Sequence, residues 1–289
     1  LGAEVIWTRV LSLLLGATVY TFSIILAVFL VGLGIGSSVG SILARDARTR
    51  AALGLCQVLL CAAIAWGAYA ISRSLPFWPI DPSLSRGPWL NFQLDLMRCA
   101  WAVLPAAILW GASFPLALAA VATPGRDPGR MVGGVYAANT VGAILGSLGF
   151  SMLVIPTWGT QQAQRGLIAL SCVAALLAFV PAPTASTRRM AWAAGSGLVV
   201  GLAGFLAWGV PAVPPPLVAE GRYVATYRDL PSFLYVGEGM NASVAVTDMG
   251  DGVRNFHVSG KVEASSEPQD MRLQRMLGHI PALVHPGPR

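Results

Sequence analysis

The sequence predicts a mainly α-helical, polytopic transmembrane bundle of about seven spans, the first of them partial, followed by a small β-hairpin and one helix. Three observations carry this. Hydrophobic residues make up 55% of the 289 residues, charged residues only 11%, and mean hydropathy is +0.65; soluble domains carry roughly 25% charged residues. Most of the chain up to Pro211 consists of long apolar runs separated by Arg-bearing gaps. Beyond Glu220 the apolar pattern changes from unbroken runs to the alternation of short strands.

The first run, Leu1–Leu15, is shorter than the roughly 20 residues that span a bilayer, and reads as the second half of a helix. Full spans are predicted at Thr18–Ala44, Ala51–Ile71, Met97–Ala122 and Met131–Ile155, with two more at Gly166–Val180 and Ala191–Val210. In lipid such runs must be helical, because backbone groups find no water. Between Ser72 and Leu96 a loop is expected, carrying Pro76, Pro79, Pro82 and Asp95, with Phe77, Trp78 and Trp89 suited to the membrane interface. Arg45, Arg48, Arg50, Arg126, Arg130, Arg188 and Arg189 fall on one side, and Arg73, Arg86, Arg98 and Arg165 on the other. The larger set is expected in the cytoplasm. Gly32, Gly36 and Gly40 form a small-residue row suited to close helix contact. Gly34-x-Gly36 lies inside this apolar run, which is the wrong context for a phosphate loop.

Residues 1–210 therefore read as the transmembrane domain, 211–219 as a stiff Pro-rich linker, and 220–289 as the start of a soluble domain. Phe233–Val236, Ser243–Thr247, Val253–Val258 and Lys261–Ala264 are predicted strands, with a turn at Asp248–Gly252 and another from Gly260. Gln269–Val284 reads as a helix with an apolar stripe of Met271, Met276, Leu277, Ile280 and Leu283, ended by Pro286 and Pro288.

Net charge is +6, yet the basic residues sit at the ends of apolar runs, so the partner they imply is the bilayer and not nucleic acid. Cys56, Cys61, Cys99 and Cys172 lie in or beside spans without metal spacing and read as packing or lipid-facing residues; no metal site is expected. Glu4, Arg9 and Asn139 are the intramembrane polar candidates. Glu4 and Arg9 are expected to snorkel to an interface, and Asn139 to bond across helices.

Tyr235-Val-Gly-Glu-Gly-Met-Asn-Ala-Ser-Val-Ala-Val, Val258-Ser-Gly-Lys-Val and Asp270-Met-Arg-Leu-Gln-Arg-Met-Leu-Gly-His279-Ile-Pro281, in that order, resemble the N-terminal segment of spermidine synthases. Glu4-Val-Ile-Trp7-Thr-Arg9, Phe114-Pro115 and Tyr136-Ala-Ala-Asn139-Thr140-x-Gly142 resemble the span motifs of that family's bacterial membrane-fused branch. The resemblance implies a multi-pass protein of the bacterial inner membrane that transfers an aminopropyl group from decarboxylated S-adenosylmethionine to a small amine. It places Gln274, Asp270 and Glu263 beside the amine pocket, and the nucleoside turn and catalytic carboxylate downstream of Arg289. Such chemistry needs carboxylates to hold a cationic amine and a base to free the attacking nitrogen. Leu273 stands where a Tyr is usual and Arg275 where a Glu is usual, and neither suits a cationic diamine. The alternative is a transporter-like or scaffold membrane protein, in which Glu4, Arg9 and Asn139 line a polar path.

Overall fold

The computed structural model describes residues 1–45, 48–78, 87–122, 127–180, 186–226 and 231–287, with backbone only for 186–191. Pro79, Pro82, Arg86, Arg126 and Pro288 lie outside these residues, as do the side chains of Arg188 and Arg189. The chain is mainly helical, with a four-stranded antiparallel sheet.

Among the described residues, four helical runs are long and apolar enough to cross a membrane: Val19–Leu43, Thr49–Phe77, Pro88–Val121 and Pro128–Phe179. The first is α2. The second is α3 (Thr49–Tyr69) with a π turn over Ala70–Ser74 and a 3-10 turn over Leu75–Phe77. Helix α4 spans Pro88–Val121, so the expected loop is already helical from Pro88. Proline at a helix start costs little, since the amide it lacks has no intrahelical acceptor there.

The predicted spans Met131–Ile155 and Gly166–Val180 belong to one 52-residue run, made of α5 (Pro128–Gly149), a π turn (Phe150–Val154) and α6 (Ile155–Phe179). Its polar middle reads as a gap in sequence, yet those side chains find protein partners. Gln164 accepts from Trp7 Nε1 at 3.2 Å, while Gln161 and Arg165 donate to the carbonyls of Val210 and Ala207. Only Gly159 departs from helical geometry, at φ 80° and ψ 168°. Helix α7 (Ser186–Trp208) is apolar over its described side chains, Trp192–Trp208.

Helix α1 (Gly2–Leu15) is the centre of the core. Ile6, Trp7, Leu11 and Leu14 are fully buried, and Trp7 meets Trp110 and Phe29 at ring-centroid separations of 5.5 and 6.1 Å. The small-residue row of α2 lies directly on α4. A Cβ on Gly36 would stand 1.9 Å from the Ile108 carbonyl oxygen, and one on Gly40 would stand 2.6 Å from that of Ala112. All four cysteines are buried. Outward, Val19, Leu145, Leu177, Leu198 and Trp208 are exposed. Apolar surface on this scale is a poor contact for water and a natural one for lipid tails.

The supposed linker is partly structural. Pro214 is extended, but Pro215 and Pro216 open a short helix, α8 (Pro215–Glu220), whose Leu217, Val218 and Ala219 are buried. A 3-10 stretch, Gly221–Thr226, follows. The sheet is a meander of β1 (Ser232–Glu238), β2 (Ser243–Asp248), β3 (Arg254–Val258) and β4 (Lys261–Ser265). Ser243, Ala245 and Thr247 of β2 alternate inward. The Asp248–Gly252 turn forms as its residues predict, with Gly250 and Gly252 at positive φ and the Asp248 and Asp251 carboxylates accepting backbone amides. Ser259 and Gly260, both at positive φ, make the tight β3–β4 turn. Helix α9 (Pro268–Val284) follows with no buried residue, so its predicted apolar stripe faces outward.

Candidate functional site at the bundle–sheet junction

The polar residues of α1 face the sheet. Arg9 Nη1 donates to the Met240 carbonyl at 3.1 Å and Nη2 to Ser243 Oγ at 3.4 Å. Arg9 is thereby tied to the β1–β2 turn of the sheet. Glu238, at the end of β1, reaches the break in the long helix. There the Thr160 amide donates to its Oε2 at 3.0 Å, and the Thr160 hydroxyl donates to the same oxygen. Helix geometry restarts after Gly159, leaving amides without intrahelical acceptors, and a carboxylate is the favoured cap for them.

A cleft of about 540 Å³ lies between α1, the π turn and the sheet. Glu4, Thr8, Arg9, Ser12, Asn241 and Ser243 contribute its polar wall, and Val5, Phe22 and Ile155 its apolar wall. Thr8 Oγ1 and Arg9 Nε are buried without a hydrogen-bond partner among the described residues. Glu4 is half-buried and lines a second groove as well, of about 840 Å³, together with Gln57, Ser113, Trp110 and Asn139. Asn139 itself is exposed on α5 and makes no side-chain hydrogen bond among the described residues, so the bond across helices expected of it is not formed within the chain.

The second candidate group sits at the β4–α9 junction. The Ser265 hydroxyl donates to Asp270 Oδ2 at 2.5 Å, and Gln274 Nε2 donates to the Ser265 carbonyl at 3.2 Å. Asp270 and Gln274 are thus brought together. Glu263 is the extra residue of a β-bulge, since Phe256 pairs with Ala264 and His257 with Val262, and it is exposed. No glycine lies in this strand-to-helix junction, Ser265–Pro268, so it offers no cradle for a nucleoside's phosphate or ribose. Among the described residues no group of three His, Cys, Asp or Glu is placed to hold a metal ion.

Two features escaped the sequence. Asp95 and Arg98, expected in a loop and at a span edge, form a buried ion pair at 3.5 Å inside α4, with Arg222 of the 3-10 stretch close enough to act on both. Their i,i+3 spacing in an apolar helix was the available signal. His257 is buried between β3 and α8. Its Nδ1 lies 2.9 Å from the Ala219 carbonyl, which only accepts, so Nδ1 carries the proton; Nε2, when neutral, accepts from Thr247 Oγ1 at 2.8 Å. No signal in the sequence marked this contact.

No protein-family model, curated protein or solved structure is significantly similar to this chain.

Proposed function

We propose that the chain is the membrane portion and leading sheet of a spermidine-synthase-like aminopropyltransferase of the bacterial inner membrane. One observation supports this above others: the sheet runs directly into α9, and the junction gathers Asp270 and Gln274 on Ser265. In this reading Asp270 holds the cationic end of a small amine and Gln274 orients it. The second amine nitrogen, freed of its proton, attacks the carbon beside the sulfonium of decarboxylated S-adenosylmethionine, and the thioether leaves. This reading also requires a nucleoside site and a base, neither of which is assigned to the described residues. Leu273 and Arg275 argue for an acceptor other than a simple diamine.

The test is to express the product of the reading frame extended past Arg289, and to assay its membranes for aminopropyl transfer to a panel of amines. Transfer is expected, with kcat/KM lowered about 10- to 100-fold by Asp270→Asn, the worth of one charge-assisted hydrogen bond. A complete nucleoside domain without transfer to any amine would sink the reading.

A second reading, solute movement across the bundle, is favoured by the place of Glu4. It shares one groove with Asn139 and a second cleft with Arg9. Proteoliposomes of the purified chain that fail to pass any labelled amine or amino acid would count against it.

A further inference from the structure

The 3-10 stretch between α8 and the sheet brings a cation to the bundle. It rests on α1 and on the turn over Leu75–Phe77, with Gly221 pressed against Leu13. Arg222 is half-buried there, and its Nε has no hydrogen-bond partner among the described residues. The charges that act with it are Asp95 and Arg98 of α4, both buried. The Tyr20 hydroxyl of α2 stands beside the same carboxylate and brings no charge. Neither amine transfer nor solute movement uses this cluster.

Its charges do not balance. Asp95 pairs with Arg98 at 3.5 Å, and no other ion pair forms among the described residues. One carboxylate therefore serves two guanidiniums, and Arg98 Nε is also without a partner. Like charges repel strongly in a low-dielectric interior, and each buried cation needs an anion to offset its lost hydration.

We propose that Asp95 is a shared counter-ion that latches the 3-10 stretch, and with it the seat of the sheet, to the bundle. Arg98 competes for the carboxylate and so weakens the latch it pairs with. The hold on Arg222 then depends on where α4 places Arg98. With Arg98 drawn away, Asp95 is left to Arg222 and the stretch docks more firmly. With Arg98 drawn in, the stretch loosens. The stretch lies between α8 and β1 in the chain, so a shift of α4 is passed to the sheet.

The test is hydrogen exchange of the purified full chain in detergent, read by mass spectrometry at residues 221–226, with α2 as the internal reference for folding. Local exchange reports the local opening equilibrium. Arg222→Gln is expected to speed exchange at 221–226 about tenfold, the size of one interaction with a charged group, and Asp95→Asn likewise. Arg98→Met is expected to slow it by a similar factor, and to have no effect in the Arg222→Gln background. A pair that merely staples one turn of α4 to the next predicts the opposite sign or no change at 221–226. Faster or unchanged exchange there in Arg98→Met would overturn the proposal, as would unchanged exchange in Arg222→Gln. Arg222→Lys keeps the charge and leaves α4 intact, so it reads the latch even where an α4 variant unfolds. Protection near wild type in Arg222→Lys supports the latch, and a loss equal to that of Arg222→Gln overturns it.

Discussion

Glu238 does the work of a helix cap from a distance. Its carboxylate meets the Thr160 amide and hydroxyl where α6 restarts after Gly159. Glu238→Ala is expected to destabilise the chain by about 1–2 kcal/mol, the usual worth of a cap, read as a lowered denaturation midpoint in detergent. Thr160→Val should add little to the loss once Glu238 is gone, because both changes break one contact; full additivity would show the contact to be absent. Asp95 is a different case, because its buried carboxylate faces Arg98 and Arg222. Asp95→Ala leaves guanidinium charge buried and unmatched, and should cost about 3–5 kcal/mol. Converting Asp95 and Arg98 together to Leu and Met should cost much less. A double variant no more stable than Asp95→Ala alone would show that the loss comes from Arg222, left without the carboxylate in both variants.

At the scale of elements, α2 and α4 are held by shape. Gly36→Leu drives a side chain into the α4 backbone and should cost about 1–3 kcal/mol or more, while Gly34→Leu, with open space beside it, should cost little. Equal thermal midpoints for the two variants would contradict this packing. The row was legible in sequence because small-xxx-small spacing has one physical use between apolar helices. The strands and their turns were legible for a related reason: Asp-Gly and Ser-Gly dictate positive φ, and the alternation of β2 dictates a face. Other elements were misread where tertiary contact overrode local signal. Polar Gln161, Gln164 and Arg165 read as a gap, yet each is met by a side chain or carbonyl distant in sequence. The Pro-rich linker reads as extended, yet Pro215 and Pro216 occupy the first turn of α8, where proline is tolerated. Of the candidate site residues, Arg9, Asp270 and Gln274 make contacts with Met240, Ser243 and Ser265 that the sequence did not indicate, and Glu4 lines two cavities because α1 lies between bundle and sheet.

For the whole molecule the question is whether the sheet stands alone. Its polar ties run to the bundle: Arg9 to Met240 and Ser243, and Thr160 to Glu238. Its seat, α8, joins it through His257 and Ala219 and through the Gly260 amide and the Val218 carbonyl. Gly221 is pressed between Leu13 of α1 and Gly260, where a Cβ would stand 2.8 Å from the Leu13 carbonyl oxygen. Helix α9 buries no residue against the sheet, so it lends little apolar area. A few strands without a covered face are marginal in water. Residues 211–289 expressed alone are therefore expected to show no cooperative unfolding transition by circular dichroism. In the intact chain, amides of β2 and β3 should exchange slowly. Arg9→Gln combined with Glu238→Ala should release that protection while leaving the amides of α2 and α4 slow, because the core of Trp7, Phe29 and Trp110 is untouched. A sharp, reversible melt of the isolated segment would show that the sheet carries its own core and that the bundle merely holds it in place.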